Sequence, residues 1–147
     1  MKGILRGGFA GILATLTMSA VIFGSKKLGL MHEPPPKEIT KRAAQESGVN
    51  PHAVPRPTFN LSWIAAHFGY GVGCGAVYTV IRGILPGGAV TSGTIYGLVV
   101  WAASYLGVMP ALGLYPAPED DSNSRAATMI AAHVVFGATL GKAANQD

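Results

Sequence analysis

IAAHFGYGVGCG, residues 64–75, and IAAHVVFGATLG, residues 130–141, begin alike and space their glycines alike. In each, a histidine (His67, His133) is followed four and eight residues later by glycine: Gly71 and Gly75, then Gly137 and Gly141. Residues four apart share one helix face. Each stretch therefore reads as an apolar helix with a smooth stripe, and G-x-x-x-G is the spacing that lets two helices approach closely in lipid. Two further G-x-x-x-G pairs, Gly7/Gly11 and Gly93/Gly97, lie in the other long apolar runs.

Composition points the same way. Of 147 residues, 49% are hydrophobic and only 12% charged, with 20 glycines. Soluble domains carry roughly twice that charge. A bilayer core needs about 20 residues of helix, and four stretches qualify: about 7–24, 61–81, 89–109 and 126–144. None contains an acidic residue, and Lys142 lies near an end where it can snorkel. Lys2 and Arg6 ahead of the first run resemble a signal peptide's start, but no small-x-small cleavage site closes it, so it reads as a retained span. The net charge of +4 is not gathered on one face. It suits anionic lipid and argues against a nucleic-acid partner. Cys74, the single cysteine, reads as a small packing residue.

The fold expected is all-α: an integral membrane four-helix bundle, residues 1–147 as one domain, with a short interfacial helix over about 36–47 in the first loop. Pro34–Pro36 and Gly48 bracket that helix. Leu28-Gly29-Leu30 after span one matches Leu112-Gly113-Leu114 after span three, and each precedes a Pro-rich stretch. The chain thus reads as two parallel copies of a two-helix unit. All eight glycines of the four motifs (Gly7, Gly11, Gly71, Gly75, Gly93, Gly97, Gly137, Gly141) fall toward the face holding both termini. A bundle tight there and wider beneath the first loop follows, with the glycines of spans two and four setting how closely those two helices approach. Trp63 and Tyr78, near the ends of span two, read as interfacial belt residues.

His67 and His133 lie roughly 10 Å below the loop-side surface. Ionisable residues in a membrane usually face the bundle interior. The simplest reading gives each neutral imidazole a hydrogen bond to a neighbouring helix, with Ser62, Ser104, Tyr105 or a backbone carbonyl as partner. A second makes them the axial ligands of one haem b. A third makes them a protonatable pair serving a proton or solute conduit. Glu119, Asp120 and Asp121, with Ser122 or Ser124, suit the start of the last helix as dipole partners and caps rather than a cation site. No Walker loop, nucleophile elbow, H-E-x-x-H or C-x-x-C is present, so no enzyme and no resident cofactor is expected.

PPPKEITKRA, AHFGYGVGCGAVY, GLVVWAASYLGVMPALGL and MIAAHVVFGATLG together resemble the YagU-like family of small bacterial inner-membrane proteins of unknown function. The resemblance implies four spans with both termini cytoplasmic, and carries no catalytic residues to this chain. A role as a structural or stress-related membrane factor, including acid tolerance, and association with itself or a larger membrane complex are what it suggests. Charge alone leaves the orientation open: Lys2, Arg6, Arg82 and Lys142 lie on the termini side, but Lys26, Lys27, Lys37, Lys41, Arg42, Arg56 and Arg125 lie opposite.

Overall fold

A computed structural model describes residues 2–116 and 118–145. Four helices in it are long and apolar enough to cross a membrane: α1 (Lys2–Lys27), α3 (Arg56–Ile81), α4 (Ala89–Ala111) and α5 (Asn123–Ala144). A shorter helix, α2 (Pro35–Glu46), lies between α1 and α3. α1, α3 and α5 begin before the apolar windows read from sequence, with polar residues in the added turns. The described residues form a helical bundle without strands.

The two Leu-Gly-Leu stretches have a common structural job. Gly29 (φ 74°) and Gly113 (φ 67°) adopt the left-handed conformation that closes a helix. Behind them Leu30 N–H donates to Ser25 O at 3.0 Å, and Leu114 N–H to Met109 O at 2.9 Å. Each is a Schellman cap that satisfies the orphan carbonyls at the end of a long apolar helix.

α1 packs against α3, α4 against α5, and α1 against α5 across the centre. The glycines build the first two contacts. A Cβ at Gly75 would lie 3.0 Å from Gly11 Cα, and one at Gly7 only 2.6 Å from Thr79 Cγ2. In the other pair, a Cβ at Gly93 would lie 2.7 Å from Gly141 Cα, and one at Gly97 3.0 Å from Gly137 Cα. Carbon contacts are comfortable at about 3.5–4.0 Å, so these positions admit only hydrogen. The expected approach of the second and fourth spans is therefore corrected. Gly71 and Gly75 face α1, Gly137 and Gly141 face α4, and α3 barely touches α5.

α3 and α4 are not packed backbone to backbone. Tyrosines bridge them. Tyr78 OH pairs with Ser92 Oγ at 2.8 Å, Tyr96 OH donates to Cys74 O at 2.9 Å, and Tyr70 OH pairs with Ser104 Oγ at 3.0 Å. Tyr78 is fully buried, and Trp63 is buried too, donating to Asn60 Oδ1 at 3.3 Å with its ring near Phe23. Neither is a belt residue. The core runs from Ala10, Ala14 and Met18 to Phe136 and Leu140. Outside it, α1 exposes Leu5, Phe9, Leu13 and Leu16, as a lipid-facing stripe would.

Candidate functional site

At the loop side of the bundle, bordered by the glycine contact at Gly71, the helices form a cavity of about 280 Å³. Thr15 and Met18 of α1 form its floor, with Gly71 of α3 and Phe136 of α5. Pro35, Pro36, Ile39 and Thr40 place α2 over it. The lining is mostly apolar and holds no Lys, Arg, Asp or Glu. Exposed Ala66 and Tyr70 on α3 also line it, which puts a mouth at the gap between α3 and α4.

His67 and His133 both line this cavity. His133 Nδ1 lies 2.8 Å from Met129 O. A carbonyl only accepts, so Nδ1 carries the hydrogen and Nε2 keeps a lone pair. His67 Nε2 lies 3.3 Å from Ser19 Oγ. The partners are thus a carbonyl of His133's own helix and a serine 48 positions before His67. Ser62 donates instead to Phe59 O, and Ser104 is engaged with Tyr70.

The α4 wall is built by a break in helical regularity. Residues Ala103–Val108 form a π-turn, and the N–H of Met109 bonds to Ser104 O, five residues back. Pro110 lacks an N–H and crowds the carbonyl four residues before it. Widening the preceding turn accommodates it, and such turns frequently mark functional sites. Trp101 and Tyr105 stack at 5.5 Å with ring planes 17° apart, and Tyr115 lies 6.1 Å from Tyr105.

Behind these rings sits a buried charge cluster that anchors the cap. Arg125 bonds Asp121, whose side chain is fully buried, and reaches Glu38 of α2 at 3.3 Å. Tyr105 OH donates to the other Asp121 oxygen at 2.9 Å. Both carboxylate oxygens are thereby engaged. Ser122 caps α5, accepting from Arg125 N at 3.3 Å. Arg125 also lies 5.1 Å above the Tyr115 ring.

Trp101 Nε1 and Tyr115 OH, on aromatic residues around the cavity, are buried with no hydrogen-bond partner among the described residues. Tyr115 is only 4% exposed, and burial pushes its hydroxyl above the usual phenol range. An unsatisfied buried polar group costs about 1–3 kcal/mol, and neither of these atoms has surface open to the cavity. Sequence reasoning missed them. The Trp101/Tyr105 spacing of four was the available signal, whereas Tyr115 lies in a loop that read only as Pro-rich.

The residues do not fit a haem held by two histidines. His133 has a suitable free Nε2, but His67 Nε2 is taken by Ser19. No basic side chain lines the cavity to meet propionates. Its volume also falls just below the roughly 300–1,000 Å³ of drug-sized ligand sites, and a macrocycle is large even for those. Among the described residues, no group of His, Cys, Asp and Glu is arranged to hold a metal ion.

Residues 1–146 match the model of a family of unknown function, DUF6789, and the chain belongs to that family. No curated protein and no solved structure matches it.

Proposed function

We propose that this chain is a four-span integral membrane protein that holds a small, mainly apolar molecule in its loop-side cavity and acts as a non-enzymatic binding or accessory factor. The observation that carries the reading is the cavity itself, about 280 Å³, mostly apolar and bordered by exposed Ala66 and Tyr70. The resemblance drawn from the sequence supports a bacterial cytoplasmic membrane with both termini inside. A cysteine at Lys41, labelled from outside intact cells, tests that orientation.

Native mass spectrometry of protein extracted with its surrounding lipid tests the binding. The wild type should retain a small apolar molecule, and Ala66→Trp, which fills the mouth, should retain less. Equal and empty spectra for both proteins would sink the reading.

A further inference from the structure

We propose that the cavity's ligand is a neutral molecule with an apolar body and one hydrogen-bond donor, an O–H or N–H group that bonds to His133 Nε2. This rests on the binding reading above and names its ligand class.

The polar atoms around the cavity decide which end of a hydrogen bond the ligand supplies. Thr15 donates to Gly11 O at 2.8 Å and Thr40 to Pro36 O at 2.9 Å, each within its own helix. Tyr70 and Ser104 pair with each other, and Tyr105 donates to Asp121. Trp101 Nε1 and Tyr115 OH are sealed off. His133 differs. Its Nδ1 hydrogen is spent on Met129 O, so Nε2 carries a lone pair and no hydrogen. Nε2 has no partner among the described residues, yet it is not one of the sealed atoms, and His133 keeps 9% of its surface while lining the cavity. A group held in the cavity therefore reaches this lone pair, and that group brings the hydrogen. A serine hydroxyl both donates and accepts, so the Ser19 contact leaves His67 in either tautomer. The assignment rests on His133.

Charge and polarity narrow the class. No Lys, Arg, Asp or Glu lines the cavity. An ammonium donor finds no anion there and a carboxylate no cation, and an unpaired buried charge is strongly disfavoured. A metal cation, the other partner of a bare imidazole nitrogen, finds no Asp, Glu or Cys in the lining. Water is a poor occupant. A buried water needs two to four polar partners, and apolar cavities stay dry. With the hydroxyls engaged, the rest of the wall is largely Met18, Val100, Met129 and Phe136. An apolar body suits that wall. The mouth at exposed Ala66 and Tyr70 lies on the flank between α3 and α4, so such a molecule enters from the bilayer without crossing the cap.

The test uses the full-length protein in nanodiscs and two matched pairs of probes, 1-decanol with its methyl ether and 4-propylphenol with 4-propylanisole, together with decanoate. Binding is read by equilibrium dialysis at neutral pH, after subtraction of uptake by empty nanodiscs. Within each pair the hydroxyl compound should bind saturably and about 3- to 10-fold more tightly than its ether, the loss expected for one hydrogen bond. In His133→Phe that preference should vanish while the ethers bind as before, which also shows that the variant keeps its fold. In protein labelled with ¹⁵N-histidine, the Nε2 resonance of His133, identified by its loss in His133→Phe, should shift with decanol and stay in place with the ether. Ethers binding as tightly as the hydroxyl compounds, with the Nε2 resonance unmoved, would overturn the donor assignment and leave the binding reading standing. A hydroxyl preference that survives in His133→Phe would overturn it too, as would decanoate binding more tightly than decanol. No saturable binding of any probe, together with an empty native mass spectrum, would remove both readings.

Discussion

Gly73 and Gly75 lie two residues apart on α3 and should respond oppositely to a single methyl group. A Cβ at Gly75 would sit 3.0 Å from both the N and Cα of Gly11 and closer still to Gly7 O, all of them backbone atoms that cannot rotate away. Restoring a comfortable separation of about 3.5–4.0 Å requires α1 and α3 to part by roughly half an ångström to one ångström. That would also loosen the neighbouring contact at Gly71, where a Cβ would lie 3.2 Å from Thr15 Cβ. Overpacking of this kind costs about 1–3 kcal/mol. A Cβ at Gly73 meets nothing within 4 Å. There the substitution only trades glycine for a better helix former, worth up to about 1 kcal/mol in favour of the folded helix. Since Gly75→Ala gains the same helix propensity, Gly75→Ala and Gly73→Ala should differ by about 1–3 kcal/mol in reversible unfolding by SDS in mixed micelles, with Gly75→Ala the less stable. Equal effects, or a stable Gly75→Ala, would refute the claim that glycine sets the α1–α3 distance.

Arg125→Ala should destabilise by about 3 kcal/mol because it strands the buried Asp121 carboxylate, and Arg125→Ala with Asp121→Asn should recover part of that; a fully additive double-mutant cycle would argue against coupling. Tyr96→Phe should cost about 1 kcal/mol through the lost bond to Cys74 O, and no change in the same unfolding assay would mean that the α3–α4 seam is held by ring packing alone. Glu33 is held below the usual carboxylate range, mainly by its hydrogen bond from Lys37. A depressed folded value contributes stability above pH 4.5, the ordinary value, that is lost as pH falls through the folded one. The pair is more than a third exposed on the Glu33 side, so Glu33→Gln should change stability by no more than about 0.5 kcal/mol, and only at pH above that range. Detergent-purified protein from haem-replete cells should show no Soret band; a band that disappears in His133→Ala would restore the haem reading.

Much of this bundle is legible in sequence because membrane helices declare themselves by length and apolarity. The G-x-x-x-G pairs mark where backbones come close, yet they do not say which partner comes close. Similar stripes on the second and fourth spans suggested that these two met. The structure instead pairs each with the antiparallel span before it, α3 with α1 and α5 with α4, whereas the short connection between α3 and α4 leaves those two barely in contact along their backbones. Tyr78 shows a second limit. A tyrosine near a helix end looks the same in sequence whether it faces headgroups or a hydroxyl on a neighbouring helix, and here Ser92 decides it. Ser19 could not be matched to His67, and Tyr115 could not be placed against Trp101, because such pairings depend on how the helices cross.

The cavity and the glycine contacts are two ends of one geometry. Near the termini, Gly7, Gly11, Gly93 and Gly97 let each helix pair close to backbone contact. Towards the loops the facing residues enlarge to Met18, Val100, Met129 and Phe136, so the pairs diverge. α3 and α4, joined by tyrosine hydroxyls and the Tyr78–Tyr96 ring contact, leave the diverging space open to one side, and Trp101 and Tyr105 line it beside the π-turn ahead of Pro110. α2, latched through Glu38 and Arg125, covers the remaining end. The histidines of the repeated stretch reach this space because each sits one turn beyond its glycines. Packing alone places both imidazoles at one cavity.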